Sequence, residues 1–229
     1  MRARVRALAP ASHAVAFAHG VPDGEGMTVE MALDAARRIT ASTELPVSID
    51  FERGYAADAA GVQANVAHLI EAGAAGLNIE DSLAGATSDR RPIAEAAARV
   101  AAARAAADAA GVPLAINART DTLAGSPDAF DEAIDRANAY VDAGATSVFV
   151  LGLRTEQMVA DAVAAVRAPV ALFAHPGYIP LARLAELGVG RISFGPQILG
   201  LTLAHLASAA EQLTARGDYP AELATRYEL

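Results

Sequence analysis

The sequence predicts a (β/α)₈ barrel, an α/β fold in which eight parallel strands alternate with helices. Two observations support this. Ala-rich amphipathic helices alternate along the chain with short aliphatic and β-branched runs. These runs are apolar on both faces, as expected for parallel strands covered by helices. A doubly wound sheet is the alternative, but no Gly-rich dinucleotide fingerprint follows the first clear strand, which favours the barrel.

Six strands and seven helices can be placed in order. The strands are predicted at 46–50, 76–80, 113–117, 146–150, 169–173 and 191–194. The helices are predicted near 27–42, 59–72, 91–110, 127–143, 155–167, 179–187 and 197–216. Gly73, Gly111, Gly144 and Gly188 lie at helix ends, where glycine accepts the left-handed conformation that stops a helix. No linker divides the chain, so we expect one barrel domain over residues 1–229.

The start of the chain is short for a complete barrel. Only 26 residues precede the first clear helix, whereas a complete barrel requires two strands and a helix there. We therefore expect a barrel that is incomplete at its N-terminus, or a gap that another chain covers.

Composition excludes several chemistries. All 18 basic residues are Arg, so Schiff-base aldolases, pyridoxal-phosphate enzymes and Walker-type phosphate loops are excluded. The absence of Cys removes disulfides, thiolate nucleophiles, zinc-thiolate sites and iron–sulfur ligation. A net charge of −9 argues against a nucleic-acid partner.

Two segments superficially imitate membrane or export signals. Residues 192–210 carry no formal charge, but Gly195, Pro196 and His205 interrupt them. The Arg-rich start is followed by an apolar run that Pro10 and Ser12 break. We expect no membrane partner and a cytoplasmic protein, which the lack of Cys also fits.

Polar residues cluster where three consecutive strands end. They are Asp50 and Glu52 after the first, Asn78, Glu80 and Asp81 after the second, and Asn117, Arg119 and Asp121 after the third. In barrels the active site lies at this end of the strands. Crowded carboxylates without Cys or clustered His suit Mg²⁺ or Mn²⁺. The alternative is that these acids are helix caps and surface ion pairs.

Four segments carry a family resemblance. Residues 46–55, 76–82 and 116–121 resemble three signature segments of the isocitrate lyase and phosphoenolpyruvate mutase superfamily, and 21–25 resembles a fourth. The resemblance runs from about residue 12 to 216. It implies a Mg²⁺-dependent barrel that makes or breaks C–C or P–C bonds in small 2-oxo or 2-hydroxy acids.

The resemblance also implies site residues. Asp50 would ligate Mg²⁺ (or Mn²⁺) directly, and Glu52 and Glu80 would hold metal waters. Arg119 would clamp a substrate carboxylate. The resemblance would place Asp23 at the pocket edge, as a catalytic candidate, and the backbone around Ser12 at the substrate's oxo-acid end. The residues themselves add Asn78 as a candidate for substrate binding and Thr87, Ser88 and His175 as further candidates for catalysis with Arg119.

The chain departs from the family pattern in the loop 83–91. Lyases of the family carry a Lys-x-Cys-Gly-His type motif there, and the mutases carry an Asn, but this loop has none of Lys, Cys, His or Asn. Only Thr87, Ser88 and Asp89 offer oxygen chemistry. Gly152 and Ala171 stand near positions where relatives carry Glu and Asn. His175 lies at the correct rim for acid–base work, ahead of His13 and His19.

These observations predict a Mg²⁺-dependent lyase that cleaves or forms a C–C bond in a small anionic 2-oxo or 2-hydroxy (di)carboxylic acid. One alternative is a mutase or hydrolase of P–C bonds in phosphonopyruvate-like substrates. Another is a catalytically inactive relative that binds a metabolite. A proton donor discriminates between an active enzyme and the inactive relative, because turnover requires one and binding does not.

The last helix predicts a homo-oligomer. Leu199, Leu201, Leu203 and Leu206 spread over more than one face of the helix near 197–216. The resemblance implies that this helix is exchanged between subunits of a homodimer or homotetramer. The alternative is a wholly buried helix that packs across the gap left by the short start of the chain.

Overall fold

A computed structural model describes residues 5–83 and 86–217, without the side chains of residues 86–88 and 216. The strands are β1 (Ser48–Asp50), β2 (Gly76–Glu80), β3 (Ser82–Leu83), β4 (Ala86–Arg90), β5 (Ala115–Thr120), β6 (Ser147–Val150), β7 (Val170–Phe173) and β8 (Arg191–Ser193). The helices are α1 (Ser12–Ala18), α2 (Val29–Ala41), α3 (Ala59–Glu71), α4 (Ile93–Ala110), α5 (Thr122–Gly125), α6 (Phe130–Asp142), α7 (Glu156–Ala165), α8 (Leu181–Glu186) and α9 (Gln197–Arg216).

The six predicted strands form one parallel sheet in the order β1-β2-β5-β6-β7-β8. Leu8 extends the sheet beyond β1 by a single parallel bridge to Val47. Its amide donates to the carbonyl of Pro46 at 2.9 Å, and its carbonyl accepts from the amide of Ser48 at 2.9 Å. The α/β prediction is therefore confirmed, whereas the described residues form an incomplete barrel, because α1 and a loop stand between Leu8 and α2 where a complete barrel has a second strand.

The strand register sorts the inner side chains into two layers. Residues paired in register share one face of a parallel sheet. The first layer, nearer the strand starts, contains Asp50, Asn78, Asn117 and Ser147. The second contains Glu80, Arg119, Phe149, Ala171 and Arg191. Both layers lie on the concave side of the sheet, since residues from β1 to β8 line one cavity.

The helices cover the opposite face. Ala103 and Ala107 of α4 are fully buried in a core cluster that also includes Val62 and Leu69 of α3. Small alanine side chains let these helices approach closely, so the Ala-rich composition is a packing feature. Gly111 ends α4 at φ +67°, the left-handed stop that the sequence predicts.

Three elements were not predicted: α1, the one-turn α5 and the hairpin of β3 and β4. The hairpin is antiparallel and occupies most of the 83–91 loop. Its residues lack the apolar alternation that marks a strand. Residues 84 and 85 at its turn lie outside the described part of the chain.

Helix α9 projects from the rest of the fold. None of its described side chains is buried, and Ile198, Leu201 and Leu206 are 57%, 67% and 63% exposed. The alternative of a wholly buried helix is therefore wrong: α9 does not fill the gap in the barrel. Exchange of this helix between subunits stays a prediction. Among the described residues, no helix combines the length and hydropathy needed to cross a bilayer.

Candidate active site

A cavity of about 650 Å³ opens on the concave side of the sheet. Its walls come from three sides: residues 9–14 together with Asp23, the inner layers of the sheet, and the segment after β8 that leads into α9, namely Phe194, Gly195, Pro196, Ile198 and Leu199. The residues predicted for the site that line it are Ser12, Asp23, Asp50, Asn78 and Arg119. The structure therefore brings residues from widely separated segments to one place.

The first layer fixes two of these groups by hydrogen bonds. Oδ2 of Asp50 accepts a hydrogen bond of 3.1 Å from the backbone amide of Ser12, where α1 begins. Oδ1 of Asn78 accepts from Nδ2 of Asn117 at 2.8 Å, and Oδ1 of Asn117 accepts from Oγ of Ser147 at 2.7 Å. This chain orients the Asn78 amide, whose Nδ2 remains available as a donor.

The second layer holds Arg119 between two carboxylates. Nε and Nη2 donate to Asp121 at 2.5 and 2.8 Å, and Nη1 lies 2.8 Å from Oε2 of Glu80. Of the five guanidinium N–H groups, these contacts occupy three. The ring of Phe149 packs against the guanidinium, with its centroid 5.8 Å from Cζ. Arg119 is thus rigidly placed, and no group of the described residues accepts from its two other N–H groups.

The acids around Arg119 exceed its charge. Burial raises the pKa of Glu80, and the nearby charges of Asp121 and Asp50 raise it further, while Arg119 and the Ser82 hydroxyl oppose the shift. Glu80, Asp121 and Asp50 therefore all act on Arg119, and the guanidinium of Arg53, 4.0 Å from Oε1 of Glu80, is a second cation beside them. Such an excess of buried negative charge favours an added cation.

Glu52 sits in a strained, tightly braced loop. Tyr55 donates its hydroxyl to Oε1 of Glu52 at 2.6 Å, and the amide of Glu25 donates to Oε2. Glu25 in turn accepts from the amides of Arg53 and Tyr55 at 3.1 and 2.8 Å. Glu25, Glu52 and Tyr55 all have positive φ, between 45° and 58°. Burial raises the pKa of Glu52, so this loop holds a carboxyl group in an unfavourable environment.

Two buried arginines stabilise this region: Arg99, which contacts the loop from α4, and Arg53, which belongs to the loop itself. Arg99 of α4 is 1% exposed and donates to the carbonyls of Arg53, Ala56 and Ala57 at 3.0, 2.6 and 3.2 Å. Arg53 reaches the carbonyl of Gly24 at 2.8 Å. Sequence reasoning did not find Arg99, because an arginine in an Ala-rich helix looks like a surface residue.

A third network lies beneath the rim around Asp81. Its Oδ1 accepts from the amide of Asp121 at 3.0 Å, and its Oδ2 accepts from the hydroxyl of Tyr140 at 2.7 Å. Nη1 of Arg136 lies 3.4 Å from the same oxygen and donates to the carbonyl of Arg91 at 2.8 Å. Asp81 therefore connects α6 to Asp121, which binds Arg119.

The metal prediction rests on Asp50, Glu52 and Glu80. In the described part of the chain, no three His, Cys, Asp or Glu side chains are grouped closely enough to bind a metal ion together. The predicted arrangement does not require such a group, because only Asp50 would ligate directly and the two glutamates would act through water. That arrangement stays a prediction.

The other candidates lie in different places. His175 is exposed, contacts the carbonyl of Pro176 and does not line the cavity. His13 does line it, and its Nδ1 lies 3.8 Å from Oδ2 of Asp23. Thr87 and Ser88 belong to β4, but their side chains lie outside the described ones. His13 follows Ser12 directly, which was the available signal for its position.

Comparisons with known proteins identify the family of the chain. The family model of phosphoenolpyruvate phosphomutase matches residues 1–214. The chain belongs to this family. A solved structure from Burkholderia cenocepacia J2315, provisionally named a phosphonomutase, is 40% identical with a TM-score of 0.87, over 91% of this chain and 86% of that chain.

Two curated relatives of the family are named for their activities. The 2-methylisocitrate lyase of Escherichia coli (strain K12) is 35% identical over 200 residues, which is 86% of this chain. An oxaloacetate decarboxylase of Rhodopseudomonas palustris (strain BisA53) is 36% identical over 159 residues, or 67% of this chain. The matched regions span 62% and 53% of these two relatives.

Proposed function

We propose that this chain is a Mg²⁺-dependent lyase that cleaves or forms a C–C bond in a small 2-oxo or 2-hydroxy (di)carboxylic acid. The observation that carries the proposal is the shared cavity wall of Asp50, Asn78 and Arg119. It combines a carboxylate for a cation with an amide and a guanidinium for an anion. The two curated relatives are a lyase and a decarboxylase, which supports C–C chemistry.

The residues fit a hard divalent cation. Among the described residues, Asp50 accepts one hydrogen bond, from Ser12, and it lines the cavity with its other lone pairs free of these residues. Glu80 does not line the cavity, but the charge of Asp50 acts on it, which suits the contact through water predicted for it. Carboxylate oxygens are the ligands that Mg²⁺ prefers, together with water. When bound, the ion would polarise the oxygen next to the substrate carboxylate and stabilise the negative charge that develops as the bond breaks.

Binding of the substrate carboxylate falls to Arg119 and Asn78. The two unoccupied N–H groups of Arg119 and the amide Nδ2 of Asn78 are donors on the cavity wall. Phe149 and Asp121 prevent the guanidinium from turning away. These residues orient the acid group, while Phe149, Leu151 and Phe173 line the cavity with apolar surface that excludes water.

Proton transfer falls to His13. The 83–91 loop offers no imidazole, thiol or amine, but His13 lies on the wall facing the sheet and pairs with Asp23. An imidazole beside a carboxylate is suited to give a proton to the carbon that is left when the bond breaks. A role for His13 supports an active enzyme, whereas the bare loop favours the inactive relative.

A P–C bond is the second candidate, favoured by the family model and by the B. cenocepacia structure. A Mg²⁺-dependent screen of oxaloacetate, phosphonopyruvate and 2-hydroxy dicarboxylates, with products identified by NMR, decides between them. We expect turnover of an oxo or hydroxy dicarboxylate. Turnover of phosphonopyruvate alone would establish P–C chemistry, and binding without turnover would establish the inactive relative.

A further inference from the structure

Arg191 occupies a position on the cavity wall that the proposed mechanism does not use. It is the first residue of β8, half-buried, and lines the cavity with Ile192 and Ser193. In the strand register Arg191 is paired with Ala171, Ala171 with Phe149, and Phe149 with Arg119. Arg191 therefore belongs to the second inner layer, as Arg119 does. The two arginines therefore project into the same cavity from strands three positions apart in the sheet.

Arg191 has no bound partner, unlike Arg119. Among the described residues, none forms a hydrogen bond with its guanidinium or an ion pair within 4.0 Å. The charge of Asp50 acts on it at longer range, while burial lowers the pKa of the guanidinium. An arginine still keeps its charge at neutral pH, so a partly buried cation faces the cavity here with no carboxylate of the described residues within 4.0 Å, and Asp50 acts on it only at longer range.

The surroundings of Arg191 leave room for a ligand group. Its neighbour in the layer, Ala171, has a single methyl group and is fully buried. Phe149 and Phe173 line the space between the two arginines with apolar surface. A partly buried guanidinium at an apolar wall binds an anion well, because no other protein group competes for its donors.

We infer that Arg191 binds a second acidic group of the substrate, the distal carboxylate of a dicarboxylate whose other end is held near Asp50 and Arg119. This inference rests on the proposed function and adds a choice of substrate class. A monocarboxylate would leave Arg191 unpaired, whereas a dicarboxylate satisfies it. Arg191 thus selects dicarboxylates over monocarboxylates of the same head group.

Lactate and malate test the inference. Both carry a 2-hydroxy carboxylate, and malate alone has a distal carboxylate. Calorimetric titration with Mg²⁺ present, using both enantiomers of each acid, measures binding without requiring turnover. We expect Arg191→Ala to weaken malate binding about tenfold or more, as loss of a charge-assisted hydrogen bond does, and to leave lactate within about twofold of the parent.

Three further variants make the result specific. Arg191→Lys keeps the charge and should recover part of the malate affinity, which also serves if the alanine variant does not fold. Arg154→Ala removes an exposed arginine outside the cavity and should change neither affinity. Arg119→Ala should weaken both acids. Equal losses for malate and lactate in Arg191→Ala, or no loss, overturn the inference alone. A parent protein that binds neither acid overturns it together with the proposed function.

Discussion

The hydroxyl of Tyr140 donates a hydrogen bond of 2.7 Å to Oδ2 of Asp81, in a part of the core where both side chains are 1% exposed. The other oxygen of Asp81 holds the amide of Asp121. Tyr140 of α6 therefore stabilises the end of β5, where Asp121 binds Arg119.

Removing this hydroxyl should destabilise the fold. Tyr140→Phe leaves a buried carboxylate with one partner fewer, and hydrogen bonds to charged groups contribute about 1.5–3 kcal/mol. The free energy of unfolding from urea denaturation measures the loss. Tyr178→Phe is the matched control, since Tyr178 donates to the neutral carbonyl of Leu153 at 2.7 Å and should lose only about 0.5–1.5 kcal/mol. Equal losses would contradict the role assigned to the charge of Asp81.

Gly54 should not tolerate a side chain. It has φ +88°, and an added Cβ would lie 2.9 Å from Cγ2 of buried Val62. Gly111→Ala provides the control, because φ is +67° there and nothing lies within 4 Å of the added atom. Left-handed strain alone costs about 1–2 kcal/mol, so we expect Gly54→Ala to unfold at clearly lower urea concentration than Gly111→Ala. The same midpoint for both would show that the Val62 contact relaxes freely.

Asp50 should be essential for metal binding. Asp50→Ala removes the proposed direct ligand while the strand around it stays intact, so calorimetry should show Mg²⁺ and Mn²⁺ binding in the parent and none in the variant. Asp34→Ala removes a surface carboxylate that pairs with Arg38 at 2.7 Å and should leave metal binding unchanged. Stoichiometric metal binding in Asp50→Ala would show that Asp50 is not the metal ligand.

His13 should govern turnover more than binding. With the substrate identified by the screen, His13→Asn is expected to lower kcat about 100-fold, within the usual range for a general acid, and to change KM little. His175→Asn is the control, since His175 lies off the cavity and should leave kcat unchanged. If the two variants behave alike, the proton comes from another group.

Helix α9 should hold subunits together. Ile198, Leu201 and Leu206 leave more than half of their surface exposed on one helix, and clustered exposed apolar side chains mark protein interfaces, so light scattering at micromolar concentration should give a homodimer or homotetramer. Leu201→Glu with Leu206→Glu should dissociate it. Leu181→Glu, at an exposed position of α8, should not. A monomeric parent, or an assembly that survives truncation after Gly195, would count against the prediction.

The strands and their polar ends could be predicted because parallel strands leave a strong local signal. The apolar run before Asp50 and the Gly that precedes the run to Glu80 are short-range features. The position of Arg191 could not be predicted this way. It starts its strand, and only the register with Ala171 shows that it faces the cavity. Sequence periodicity gives the alternation of faces and not the alignment between strands.

The sequence ranked His175 ahead of His13, whereas His13 lines the cavity and His175 does not. The reason is related. The rim rule favours residues that follow strands, and His175 follows β7. His13 belongs to α1, which occupies the interval where a complete barrel places a second strand and so approaches the cavity from outside the sheet. A rule derived from complete barrels does not predict a cavity wall formed by α1, which stands here in place of a strand.

The positive φ angles of Glu25, Glu52 and Tyr55 have a consequence for variation of the protein. Glycine at any of them would relieve backbone strain, yet it would remove a carboxylate or the hydroxyl that braces one. The strain at one such position is about 1–2 kcal/mol, and a buried amide left without its acceptor costs about 1–3 kcal/mol. Glycine at Glu25 would free the amides of Arg53 and Tyr55, so selection for thermal tolerance alone should retain Glu25 despite its strain.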